Sequence, residues 1–218
     1  MISKLHYITQ DMPGKTHPQL AEEACMGGAN WVQLRVKNAS DEEWKDSALE
    51  TLAICRKYKA KLIINDNVSL AKEIAADGVH LGKQDLNTAE ARRMLGSDFI
   101  IGGTANTFED IVMHSLAKVD YIGLGPFAFT STKEKLSPIV GLEGYKRIMK
   151  QCQSEGIKIP IIAIGGIMPS DVSDIIGTGV YGVAIAGYIN KAESKKEVIN
   201  EFFSQLEANK LKVWRWKS

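Results

Sequence analysis

The sequence predicts a single (β/α)8 barrel, and three observations carry that prediction. Short apolar runs recur eight times along the 218 residues, near 5–8, 31–36, 61–65, 78–82, 100–104, 121–125, 160–165 and 182–186. Several are continuous stretches of four or more apolar residues, the pattern of parallel strands covered on both faces. Amphipathic stretches separate the runs, as repeated βα units require. Reactive polar residues fall again and again just after the C-terminal end of a run. In a closed parallel barrel all those ends face one mouth, where such folds build their sites. An open doubly wound sheet is the rival, and the lack of a G-x-G-x-x-G turn after the first run disfavours it.

The elements follow in order. Leu5 to Ile8 opens the chain as a strand almost at once, with no basic-then-apolar leader ahead of it. Trp31 to Val36 is the second strand, delivering Gln33, Arg35 and Lys37. Ser40 followed by Glu43 forms a capping box for a helix running to Tyr58, on which Trp44, Leu49, Leu52 and Ile54 recur at near-helical spacing. Lys61 to Ile64 leads into Asn65-Asp66, and Gly78 to Gly82 leads to Asp85. The run at 100–104 ends on Thr104. Tyr121 to Pro126 leads into an irregular stretch, Phe127 to Val140, long enough to be a binding loop or lid. Ile161 to Ile164 ends in Gly165-Gly166, Pro169 opens the following helix, and the eighth run ends in Ala186-Gly187. No linker or charge block divides the chain. One domain over 1–218 is expected, with a core near 5–208 and a short basic tail carrying Trp214 and Trp216.

Bulk properties exclude several classes. The formal net charge is +1, so nothing calls for nucleic acid or a membrane surface as partner. No apolar run approaches the roughly 20 residues of a membrane helix. Cys25, Cys55 and Cys152 are odd in number and lack a C-x-x-C spacing, which reads as free thiols in a reducing cytoplasm.

The candidate chemistry is a metal–phosphate site. Gln33, Arg35 and Lys37 alternate, so on one strand they share a side; the bland alternative is an outward polar face. Arginine offers phosphate a planar fork and lysine a mobile point charge. Asp66 and Asp85 follow neighbouring strands and suit Mg²⁺, which takes one or two carboxylates and keeps several waters. The competing reading makes each a helix cap, Asp66 for a helix from Val68 and Asp85 for one near Thr88. Glycine turns after the seventh and eighth strands, at Gly166 and Gly187, suit backbone N–H contacts to a phosphate. Lys133 among Thr130, Ser131 and Thr132 suits an anion. Phe127 and Phe129 either wall the mouth or anchor the loop. His80, inside an apolar run, reads as a hydrogen-bonded core residue.

Together these blocks resemble the thiamine phosphate synthase family. The resemblance runs from Tyr7 to Ile189 on Val32-Gln33-Leu34-Arg35-Val36-Lys37, Ile64-Asn65-Asp66, Ala76 to Gly82 with Asp85, Ile101-Gly102-Gly103-Thr104, Gly123-Leu124-Gly125-Pro126 with Thr130-Ser131-Thr132-Lys133, and Ala163 to Ile167. It implies an enzyme joining 4-amino-2-methyl-5-hydroxymethylpyrimidine diphosphate to 4-methyl-5-(2-phosphoethyl)-thiazole. The pyrimidine C–O bond would break first, and the thiazole nitrogen would capture the resulting cation. It further implies Gln33 on the pyrimidine, Arg35, Lys37 and Asn65 on the diphosphate, and Asp66 and Asp85 on Mg²⁺. Thr104 stands at a position usually serine. Arg35, Lys37 and Lys133 would be the catalytic cations, Lys133 neutralising the leaving diphosphate. Thr130, Thr132 and the Gly166 and Gly187 amides would hold the thiazole phosphate.

Three positions depart from the family pattern: Lys83 replaces a glutamine, Asn106 a histidine, and Ala186-Gly187-Tyr188 a serine-containing turn. A thiazole tautomerase relative would lack the two acids and use a histidine where Asn106 stands. A non-catalytic sensor of phosphorylated thiamine precursors would show erosion of Arg35, Lys37 or Lys133. A sugar-phosphate isomerase would leave the second acid and Gln33 without a purpose. A homo-oligomer is compatible with the sequence.

Overall fold

A computed structural model describes residues 1–130 and 138–208. Its eight strands are β1 (Leu5–Ile8), β2 (Trp31–Leu34), β3 (Lys61–Asn65), β4 (Gly78–Leu81), β5 (Ile100–Ala105), β6 (Tyr121–Leu124), β7 (Ile161–Ile164) and β8 (Gly182–Ile185). Each pairs in parallel with the next, and β8 returns to β1, closing the barrel. The helices are α1 (His17–Met26), α2 (Asp41–Tyr58), α3 (Val68–Glu73), α4 (Thr88–Leu95), α5 (Phe108–Leu116), α6 (Gly141–Ser154), α7 (Val172–Gly177), α8 (Gly187–Asn190) and α9 (Lys195–Ala208). Among the described residues no helix is long and apolar enough to cross a membrane.

The strands bury both faces, which is why they read as continuous apolar runs. Outward-facing residues such as Leu34, Leu62, Ile64, Val79, Ile101 and Ile122 join the helices in one large core. A smaller core fills the barrel itself, built from Ile8, Trp31, Ile63, Tyr121, Ile162 and Ala184. His6 stacks on Trp31 at 4.2 Å between ring centroids, and the Tyr121 ring stands edge-on to both. Glycine makes room for that ring: a Cβ on Gly102 would lie 2.2 Å from Tyr121. Burial and the nearby His80 push the His6 imidazole down to about 3, against the pull of the Ser3 carbonyl that it hydrogen-bonds at 3.0 Å.

Local signals start the helices where the sequence places them. Ser40 Oγ accepts from Glu43 N, and Glu43 Oε2 accepts from Ser40 N at 2.8 Å, completing the expected capping box. The stripe that α2 buries is Ala48, Thr51 and Cys55, whereas Leu49 is exposed. Trp44, Leu52 and Ile54, partly buried, pack against the main core beside that stripe, so three of the four larger apolar residues of the expected pattern do face inward. Pro169–Asp171 forms a 3-10 turn ahead of α7. At the opposite end of the barrel from the mouth, Asp77 takes Leu62 N, Lys61 and Arg56. Asp120 repeats the device with Ile101 N and Arg92.

Candidate active site

The mouth gathers a buried polar layer directly above the apolar barrel core. Gln33 is two residues beyond Trp31 on β2, Asn65 two beyond Ile63 on β3, and Thr104 two beyond Gly102 on β5, so each shares the inward face. Gln33 Nε2 donates to Asn65 Oδ1 at 2.7 Å, with both side chains buried. His80 bridges Thr104 Oγ1 and the Tyr121 hydroxyl, each at 3.0 Å. The Thr104 hydroxyl is thereby tied through His80 to the barrel core, in keeping with the core reading of that histidine.

Strand β2 ends at Leu34, two residues earlier than expected. Gln33 therefore keeps the inward orientation, while Arg35 and Lys37 stand on the β2–α2 connection rather than on the strand. Arg35 is half-buried and its backbone N–H donates to Thr9 Oγ1 at 3.0 Å; Lys37 is exposed.

The two acids are not helix caps. Asn67 caps α3 by accepting from Leu70 N at 2.9 Å, and Asn87 caps α4 by accepting from Ala89 N at 2.8 Å. Asp85 Oδ2 instead accepts from Gly82 N at 2.6 Å, which tightens its own turn. Asp66 has a left-handed backbone, φ 65°. Among the described residues the other non-glycine residues of that kind, Lys59, Ala75 and Lys118, follow helices, whereas Asp66 follows a strand. Such strain concentrates at functional positions. Among the described residues no three or more of His, Cys, Asp and Glu converge into a cage. Two hard carboxylates, one directly after β3 and one in the turn after β4, are the kind of ligand a cation takes when water and substrate oxygens fill the rest of its octahedron.

Two clefts open beside these acids. One of about 550 Å³ is bordered by Lys83, Asp85, Thr104, Asp110 and His114, the other of about 440 Å³ by Asp66, Asn67, Trp44 and Leu86. Lys83 does not extend the cation set. Its ammonium lies 2.6 Å from Asp110, which also takes Asn106 N and Thr107 N. Burial raises the Asp110 carboxyl, but Lys83 and the two amides outweigh it and hold the group low. Asn106 donates its side-chain amide to Gly125 O, bracing the end of β5 against β6.

The base of the β6–α6 connection is pinned to β7, where Phe127 N donates to Ile164 O at 2.9 Å and Ala128 N to Gly165 O at 3.0 Å. Gly165 and Gly166 have φ of 95° and 68°, and a Cβ on Gly166 would lie 2.6 Å from Phe129 O. Glycine at 166 is thus demanded by the close approach of this connection, a reason separate from anion binding. A Cβ on Gly187 would meet only Gln10 Oε1, at 3.7 Å, so the backbone there lies open. Phe127 packs on Tyr145 and anchors the connection, whereas Phe129 is 72% exposed. Thr130 is half-buried at the edge of the described region; Thr132 and Lys133 lie outside the described residues.

Sequence reasoning missed one group at this mouth. Thr9, just past β1, is fully buried and connects Arg35 N to His17, which in turn meets Asp11. The rule that polar residues after apolar runs carry chemistry would have found Thr9, had it been applied to the first run.

A closed (β/α)8 barrel with polar and charged side chains gathered at its C-terminal mouth has the architecture of the barrel enzymes. The chain belongs to a particular family of that class, since residues 5–189 match the model described as thiamine monophosphate synthase. A thiamine-phosphate synthase of Bacteroides fragilis is 48% identical over 200 residues, covering 90% of this chain and 98% of the relative. One from Flavobacterium johnsoniae is 46% identical over 209 residues, covering 96% and 99%. Among solved structures, the thiamine phosphate pyrophosphorylase of Pyrococcus furiosus superposes with a TM-score of 0.82 at 31% identity, covering 94% of this chain and 96% of that one.

Proposed function

We propose that this chain is a transferase of thiamine biosynthesis that couples the hydroxymethylpyrimidine diphosphate to the thiazole phosphate and releases diphosphate. The observation that carries the reading is the pair Asp66 and Asp85. Asp66 directly follows β3, with its N–H on the His80 carbonyl, Asp85 lies in the turn after the neighbouring β4 and borders the cleft that Thr104 lines, and neither serves as a cap. Asp66 and Asp85 would hold Mg²⁺, which supplies a Lewis acid for diphosphate oxygens.

The protein's own contribution is orientation and charge. The Gln33–Asn65 pair presents a rigid amide to the pyrimidine ring. Thr104, held by His80, offers a hydroxyl of defined direction. Arg35, Lys37 and Lys133 balance the negative charge that grows as the methylene C–O bond breaks and its electron pair leaves with diphosphate. The thiazole nitrogen lone pair then forms the new C–N bond, so no strong general base is required. Thr130, Thr132 and the Gly166 and Gly187 amides would hold the phosphate of the thiazole. The reading places the enzyme in the cytoplasm, with its two phosphorylated substrates as partners and a homo-oligomer as a compatible assembly.

Mixing the purified protein with both phosphorylated precursors, with and without Mg²⁺, and following thiamine phosphate by chromatography tests the proposal. Metal-dependent product is expected. A folded protein that binds the thiazole phosphate yet forms no product would overturn it.

A further inference from the structure

The geometry points to Asp11, His17 and Thr9 as positioning residues that set the diphosphate-binding connection after β2. The inference rests on the reading that Arg35 and Lys37 take the diphosphate. The connection from Arg35 to Ala39 has neither helix nor strand to hold its cations in place. It is instead tied at two points to the β1–α1 connection. Arg35 N donates to Thr9 Oγ1 at 3.0 Å, and Asn38 Nδ2 donates to Asp11 Oδ2 at 3.3 Å. Lys37 lies between these two ties.

His17 joins the two ties into one chain. Its Nδ1 lies 2.9 Å from Thr9 Oγ1 and its Nε2 lies 2.9 Å from Asp11 Oδ1. A carboxylate only accepts, so Nε2 carries the hydrogen. Nδ1 then accepts the Thr9 hydroxyl hydrogen, and a lone pair of Thr9 Oγ1 receives the Arg35 amide. Every donor in the series meets an acceptor, which gives the series one direction, from Arg35 to Asp11. Thr9 has no exposed surface, so its hydroxyl cannot reach substrate as a nucleophile despite its Asp–His neighbours. Its use is to hold.

The anchoring side is itself well fixed. Met12 and Lys15 form an antiparallel bridge around Gly14 at φ 74°. Lys15 pairs with Glu23 at 2.6 Å, and Glu23 pairs with the buried Lys195 of α9 at 2.8 Å. Thr16 caps α1 with a complete capping box, which sets His17 as the first residue of that helix. The rigid partner is therefore the β1–α1 connection, and the segment it positions is the one bearing Arg35 and Lys37.

The test compares the intact wild-type chain with His17→Ala and His17→Gln, by calorimetry with inorganic diphosphate plus Mg²⁺ and, separately, with the thiazole phosphate. Losing this hydrogen-bond chain, which runs from the buried Thr9 out to the exposed Asp11, should weaken diphosphate about 3- to 10-fold. Thiazole phosphate affinity should not change. Glutamine offers one acceptor and one donor in place of the ring nitrogens, so His17→Gln should recover most of the loss. In the coupling assay His17→Ala should raise KM for the pyrimidine diphosphate more than it lowers kcat. Equal weakening of both ligands, or unchanged diphosphate affinity in a folded His17→Ala, overturns the inference. Should His17→Ala not fold, Asp11→Asn replaces it, since its single acceptor oxygen cannot serve both His17 and Asn38. A wild type that binds diphosphate but does not couple the substrates sinks the proposed function and leaves this inference standing. A wild type that binds no diphosphate overturns the inference as well.

Discussion

Asp66 shows how much one residue's backbone can decide. Its left-handed conformation costs an ordinary L-residue roughly 1–2 kcal/mol, whereas Asn and Asp visit that region more readily. An Asp66→Ala change therefore mixes loss of a carboxylate with added strain. Asp66→Asn separates them, because it keeps the conformational tolerance and removes only the charge. We expect Asp66→Asn to melt near the wild-type temperature while coupling activity in saturating Mg²⁺ falls on the order of 100-fold or more, the scale of losing a key electrostatic group. Wild-type turnover by this variant would remove Asp66 from the metal assignment. Lys83 shows the converse: a cation that stands in the right stretch of sequence is occupied by Asp110 on the neighbouring βα unit.

Among elements, the ends of β6 and β7 act as one unit. Phe127 and Ala128 hydrogen-bond to Ile164 and Gly165, and Gly166 sits under the Ala128 and Phe129 carbonyls. Gly166→Ala would combine a positive φ with a contact that backbone must yield to relieve. A destabilisation of roughly 2–4 kcal/mol is expected, lowering Tm by about 5–10 °C in a chain of this size. KM for the thiazole phosphate should rise in the same variant, read in steady-state assays with the pyrimidine diphosphate saturating. An unchanged Tm would mean that the connection shifts away at little cost. Element boundaries were largely legible because strands buried on both faces leave unbroken apolar runs. The early end of β2 was not, since Val36 extends the apolar alternation while Thr9 captures the Arg35 amide that further strand pairing would use.

At the scale of the molecule, the barrel core couples stability to pH through His6. Unfolded His6 takes up a proton below about 6.5, but the buried ring does so only near 3. Between those values the unfolded state binds more protons, so the native state loses stability as pH falls through that window and keeps it above. The slope is about 1.4 kcal/mol per pH unit at most. His6→Phe retains a ring to stack on Trp31 and cannot titrate. Its urea-unfolding free energy should lose less than that of the wild type between pH 6 and pH 4, and parallel pH profiles would rule out His6 as the source.

Apolar runs and the polar residues in or after them specify the eight βα units, the barrel class, and the placing of Gln33, Asn65, Asp66 and Thr104 at strand ends and of Asp85 in the turn after β4. Those properties are local, written in apolar runs of strand length and in the polar residue that follows each run. Tertiary structure decided which polar residues act together. That Asn67 and Asn87 take the caps, that Lys83 is bound by Asp110, and that Asp11, His17 and Thr9 brace the connection after β2 all depend on contacts between separate segments. A hydrogen bond is short and directional, so its partner is chosen by closure of the barrel and not by spacing along the chain.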